Sequence, residues 1–189
     1  MLHRRSGSLV RRSETPEQGR IVAGPEILEV VRALAARQDG VMTTSQLVAA
    51  GAHRSWVSDR VLSGQWQRLH RGVLTVHSGP IPWRTRARAA LLYAGRSAAL
   101  SHRAAARIWD FTRAEPRLID VSVPADRRVS PSPGLVVHRR RTPPQAVGRL
   151  RATVREETVV DLVVMSRTVD DAASWVCRGS VVCASQVVV

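Results

Sequence analysis

Three sets of residues in this 189-residue chain have types and spacing that could carry chemistry. The first is Arg54, Ser55, Ser58 and Arg60, which opens a short helical stretch. An arginine fork can grip guanine O6 and N7 through two hydrogen bonds, and a serine hydroxyl can donate or accept. Asp59, set among them, would either accept from a cytosine amino group or pair with a neighbouring arginine. The second set is Arg68, His70 and Arg71, beside a glycine turn, suited to running along a phosphate backbone or into the minor groove. The third is Ser101 and His102 with Asp161, the residue types of a hydrolytic triad. Adjacent Ser and His at a helix start are expected to point apart, and no G-x-S-x-G elbow is present. Ser101 reads better as an N-cap. With no glycine-rich phosphate loop either, the chain is not expected to be an enzyme.

Metal chemistry is not expected, nor is a cofactor. The two cysteines, Cys177 and Cys183, stand near the C-terminus without a partner pair, and the six histidines show no ligand spacing.

The charge favours an anionic partner. The formal net charge is +14, and since there is no lysine every one of the 29 basic residues is arginine. A basic protein gains nucleic-acid affinity by releasing counterions. Residues 81–141 hold 13 Arg against 4 acids, whereas residues 142–189 hold 5 of each. With 44% hydrophobic residues the chain is globular. No apolar run is long enough to span a bilayer, and no secretory signal follows the basic start. The expected place is the cytoplasm, with no membrane partner.

These residues need elements to position them. Residues 1–23 read as a disordered basic arm. Pro25 stands at a helix N1 position, and Ile27, Val30, Val31 and Leu34 form a stripe that ends at Asp39-Gly40. Val41-Met42 allows a bridging strand. Thr43 and Gln46 make a capping box for a short helix, Ser45 to Ala50, that stops at Gly51. A second helix follows over about 54–63, with Val57, Val61 and Leu62 towards the core. Trp66–Leu69 and Val73–Val76 flank a turn at His70-Arg71-Gly72, a β-hairpin in which Trp66 is core. Three helices and a hairpin in this order spell a winged helix-turn-helix over 24–79. Its second paired helix lies in the major groove, so Thr44, Arg54, Ser55, Ser58, Arg60, Arg68, His70 and Arg71 are the expected DNA contacts.

Beyond Pro80 and Pro82, helices are expected over 83–94 and from Ser101 through Trp109. Strands follow at 118–123, 135–139 and 150–154, then helices at 156–165 and 168–176. The expected fold class is α+β: the winged helix-turn-helix, then a small mixed α/β domain over 80–176. Residues 177–189 are expected to be an irregular tail, as of a shortened domain.

LAARQDGVMTTSQLVAAGAHRSWVSDRVLSGQWQRLHRGVLTVHSG (34–79) resembles the N-terminal domain of AbiEi-type antitoxins. The likeness continues through WRTRARAALLYAGRSAALSHRAAARIW, DVSVPADRRV, GLVVHRRR and ETVVDLV, and so covers about 26–176. The resemblance implies a DNA-binding domain followed by an antitoxin domain. It implies repression of the protein's own operon at an operator such as an inverted repeat. It also implies opposition to a nucleotidyltransferase-like toxin without a stable complex. Glu157 departs from the arginine usual before Thr158 and is expected to disturb a local ion pair. Some relatives carry a C-terminal nuclease domain that needs a lysine, which this chain does not have. The alternative is a protein- or RNA-interaction module that uses the Arg-rich middle region.

Overall fold

A computed structural model of the protein describes residues 25–184, with side-chain surroundings for 26–180; the expected arm at 1–23 and residues 185–189 lie outside it. The first helix, α1 (Pro25–Arg37), lays Val31 and Ala35 into a core, while Val30 of the expected stripe is exposed. Asp39 and Gly40 both take positive φ (54° and 80°), a left-handed stop that Asp and Gly tolerate. The chain then enters β1 (Val41–Thr43).

Thr43 caps α2 (Thr44–Ala49) as a complete capping box. Its hydroxyl accepts from the Gln46 amide at 3.1 Å, and the Thr43 amide donates back to Gln46 Oε1 at 2.8 Å. His53 caps α3 (Arg54–Leu62) through Nδ1, and the hairpin β2 (Gln67–His70) and β3 (Val73–Thr75) follows. The three strands form one antiparallel sheet in the order β1-β3-β2. Trp56 and Trp66 meet edge to face at 5.1 Å in a core with Val31, Leu47, Val57 and Leu74. Leu62 is not part of it: at 85% exposure it lies on the last turn of α3, past the region covered by α1 and the hairpin.

The second sheet has the order β6-β5-β4-β8-β7. It is built from β4 (Ala99–Leu100), β5 (Ile119–Pro124), β6 (Leu135–Arg140), β7 (Ala146–Val147) and β8 (Ala152–Thr153). β5 runs parallel to β6, and β4 pairs antiparallel with β5 and parallel with β8. Only the loop over 125–134 joins the parallel pair, where parallel strands more often need a helix. One face carries Ile119, Val121 and Val123 into an apolar core with α4 (Trp83–Ala94) and α5 (His102–Ile108).

The two sheets share α4. Ala87, Ala90, Leu91 and Ala94 point into the second core, whereas Ala89, with Leu92 and Tyr93 beside it, packs on Val41 and Val73 of the first sheet. Polar bonds reinforce this seam. Asp39 accepts from Arg84 Nε at 2.9 Å and from Arg88 Nε at 3.0 Å, its carbonyl accepts from Thr85, and Arg149 donates to the Arg37 carbonyl.

The last helices are α6 (Arg155–Met165) and α7 (Val169–Ala184). The expectation that order ends at Val176 is corrected here, because α7 runs on to Ala184. Ala172, Trp175 and Gly179 continue a helical stripe on the inner side, and Gly179 is buried where α7 closes on Val159 of α6. A glycine in that stripe reads as a breaker in the sequence but serves as a close helix–helix contact.

Candidate nucleic-acid interface

The N-terminal end of α3 is held from behind. Trp56 and Val57 are buried beneath it, while Arg54, Ser55 and Ser58 are exposed. Ser55 is bound to His53 Nδ1 at 2.7 Å and Ser58 donates to the Arg54 carbonyl at 3.0 Å, so both hydroxyls are held in place on the helix surface. The Arg54 guanidinium has no partner among the described residues. Asp59 is exposed and makes no ion pair among the described residues.

Thr44 is half-buried at the start of α2, and its amide donates to the Gly72 carbonyl at 2.9 Å. This bond brings the hairpin turn, with exposed Arg71, next to the N-terminus of α2. Arg68 is exposed on β2, and neither arginine has a partner among the described residues.

Two of the expected contacts lie elsewhere. Arg60 folds back along α3: its guanidinium lies 5.1 Å from the Trp56 ring centroid and Nη1 donates to Gln65 Oε1, so it does not reach outward as expected. A cation over an indole face is attracted by the ring's negative quadrupole, and this holds Arg60 to its own helix. His70 is 9% exposed, stacked on Tyr93 at 5.0 Å, with Nδ1 2.7 Å from Ser132 Oγ. Burial pushes its pKa below the ordinary histidine value. In a regular strand Arg68 and His70 would share a face, but the register shifts between them. The bulge turns His70 to the seam with the second sheet and leaves Arg68 outside.

The second sheet carries a polar layer on the face opposite its apolar core. His102 and His138 stack with ring centroids 3.7 Å apart. His138 Nε2 meets Asp120 at 2.9 Å, and Arg140 reaches Ser122, Asp161 and Glu157. Glu157 Oε2 lies 3.5 Å from Arg140 as an ion pair, yet this buried oxygen has no hydrogen-bond partner among the described residues. Burial lowers the His102 pKa first; His138 and Arg140 push the same way, against Asp161 and Asp120.

Ser101 and His102 do not point apart. Ser101 Oγ lies 3.0 Å from His102 Nδ1, and the hydroxyl makes no cap bond although Ser101 holds the N-cap position. Asp161 approaches the same Nδ1 at 3.6 Å. A triad needs nucleophile and carboxylate on opposite ring nitrogens, so these three residues do not form one.

Beyond Ser101, His102 and Asp161, picked out by residue type, sequence spacing gave no sign of this layer, because its members come from α5, β5, β6 and α6. Among the described residues no group of three or more His, Cys, Asp or Glu is arranged to hold a metal ion, and no helix is long and apolar enough to cross a membrane.

No curated protein matches the chain. Residues 29–77, which make up nearly all of the α1–β3 unit just described, match the model of a family described as transcriptional regulator, AbiEi antitoxin, so the likeness read in the sequence holds over the winged helix-turn-helix.

Proposed function

We propose that the chain is a transcriptional regulator that binds double-stranded DNA through the α3 face and the hairpin. The observation that carries this reading is a set of three exposed arginines, Arg54, Arg68 and Arg71, without partners among the described residues, on one small unit matched to a regulator family. Arg54 reads a base edge from the front of α3, with Ser55 and Ser58 beside it, and Asp59 accepts from a cytosine amino group. Arg68, Arg71 and the Thr44 end of α2 hold the phosphate backbone. Arg60 acts indirectly, by holding Trp56 and the end of α3. The unit over 24–79 is the DNA-binding part and 80–176 is the antitoxin-like part. The family likeness supports a role as repressor of its own operon, at an operator such as an inverted repeat. It also supports opposition to a nucleotidyltransferase-like toxin without a stable complex.

The basic middle region offers less free charge than its composition suggests. Arg84, Arg86, Arg88, Arg107, Arg127 and Arg140 are all bonded within the chain.

Titrating a labelled duplex and the matching single strand with the full chain tests the reading. Two phosphate contacts from Arg68 and Arg71 predict a log–log salt slope of about −1.8 or steeper, so at least roughly tenfold between about 50 and 200 mM salt. Binding that ignores salt, or equal binding to the single strand, would overturn it.

A further inference from the structure

At the seam between hairpin and second sheet, Leu69 and His70 face Arg86, Arg117 and Pro133 across a cleft of about 100 Å³. Its position follows from the bulge in β2, which turns His70 inward one residue before the exposed Arg71. The cleft therefore opens beside the turn that the DNA reading assigns to the phosphate backbone.

Its donors are built in. Arg86 Nη1 donates to the Arg117 carbonyl at 3.0 Å, which fixes one guanidinium on the wall. The nearest carboxylate, Glu115, is 4.0 Å from Arg86 Nη2, too far for a strong hydrogen bond. The Arg117 side chain is exposed and has no partner among the described residues. His70 uses only Nδ1, towards Ser132; with that nitrogen accepting, Nε2–H is a free donor. Arg86, Arg117 and His70 line this small space beside Leu69, Ile119 and Pro133, and two arginines with one imidazole there suit a single tetrahedral oxyanion. Guanidinium forks match phosphate oxygens in pairs.

We propose that this cleft takes one backbone phosphate of duplex DNA, next along the strand from the phosphate held by Arg71, so that the second sheet extends the footprint of the winged helix-turn-helix. The inference rests on the DNA-binding reading above. It gives His70 a part in DNA binding from the seam, not from the open surface of the hairpin.

The test compares the full chain with Arg117→Gln on three labelled duplexes: a long one, and two trimmed by several base pairs at one end or the other. On the long duplex Arg117→Gln binds several-fold more weakly, and its salt slope is shallower by about 0.9. On one of the trimmed duplexes the two proteins bind alike, because the phosphate is gone. Equal affinity of the two proteins on all three duplexes overturns the inference. So does the same loss on all three, since Arg117 would then not contact a flank. Inorganic phosphate at constant ionic strength should weaken the full chain more than Arg117→Gln; binding of phosphate with no effect on DNA affinity would make the cleft an anion site outside the footprint. If the full chain binds no duplex at all, the DNA reading itself fails.

Discussion

Asp39 should be the residue whose loss most weakens the joint between the two sheets. Its carboxylate spans Arg84 and Arg88, at 2.9 and 3.0 Å, and its backbone holds Thr85. Burial raises the carboxyl pKa, but hydrogen bonds and charge from Arg84 and Arg88 outweigh this and leave it below the usual carboxylate value. Arg88 is the costly partner, because its side chain is only 13% exposed and Asp39 is its sole anion. Removing one member of a fully buried pair costs about 3–5 kcal/mol, and partial exposure here lowers that to about 2. The Arg84 pair, half in solvent, adds at most about 1 kcal/mol. Alanine at φ 54° adds about 1 kcal/mol of backbone strain. Asp39→Ala should therefore cost about 3–4 kcal/mol in urea unfolding followed by tryptophan fluorescence. Asp39→Asn, which tolerates the left-handed backbone and keeps one acceptor, should cost about half as much. Because the folded carboxyl is depressed, this stabilisation is present at neutral pH and is lost as pH falls through the carboxylate range; the variants should lose less stability there. A cost for Asp39→Ala below about 0.5 kcal/mol would refute the reasoning.

The stacked pair at His102 gives a second pH dependence of known sign. Its folded pKa is lowered by burial first and then by His138, so folded protein resists protonation and stability falls as pH drops below the ordinary histidine value of about 6.5. His102→Asn, which suits φ 48°, should flatten the stability profile between about pH 7 and 5, and an unchanged slope would count against it. A third expectation concerns α7: a Cβ at Gly179 would stand 2.6 Å from Val159 Cγ2. Gly179→Val should cost about 1–3 kcal/mol in thermal or urea unfolding without changing DNA affinity, and adding Val159→Ala should recover part of it. No loss in the single variant would show that the helices do not approach as described.

The winged helix-turn-helix was legible in the sequence because its signals are local. A capping box at Thr43 and Gln46, glycine stops, and a hairpin turn at Arg71-Gly72 each act within a few residues. What escaped was set by distant partners. The bulge between Arg68 and His70 cannot be read from alternation alone, and it moved His70 from the presumed DNA surface to the seam. Arg60 looked like a free cation because Trp56 and Gln65 become its partners only once α3 and the following turn are folded. The polar layer under α5 and α6 joins residues from 101 to 161, a separation no spacing rule covers. α4 carried an apolar face that could be read, yet its second face, at Ala89, has meaning only beside Val41 and Val73. Alanine is small enough to suit either neighbour and so announces neither.

The central claim is that the front of α3 reads bases while the hairpin holds backbone. Anisotropy titrations of the full chain, Arg54→Ala and Arg71→Ala should use a duplex selected from a random pool and a scrambled duplex of the same length. The account predicts that Arg54→Ala loses about 1–3 kcal/mol on the selected duplex and little on the scrambled one, while Arg71→Ala weakens both by similar factors. Losses in the same proportion on both duplexes for both variants would contradict it.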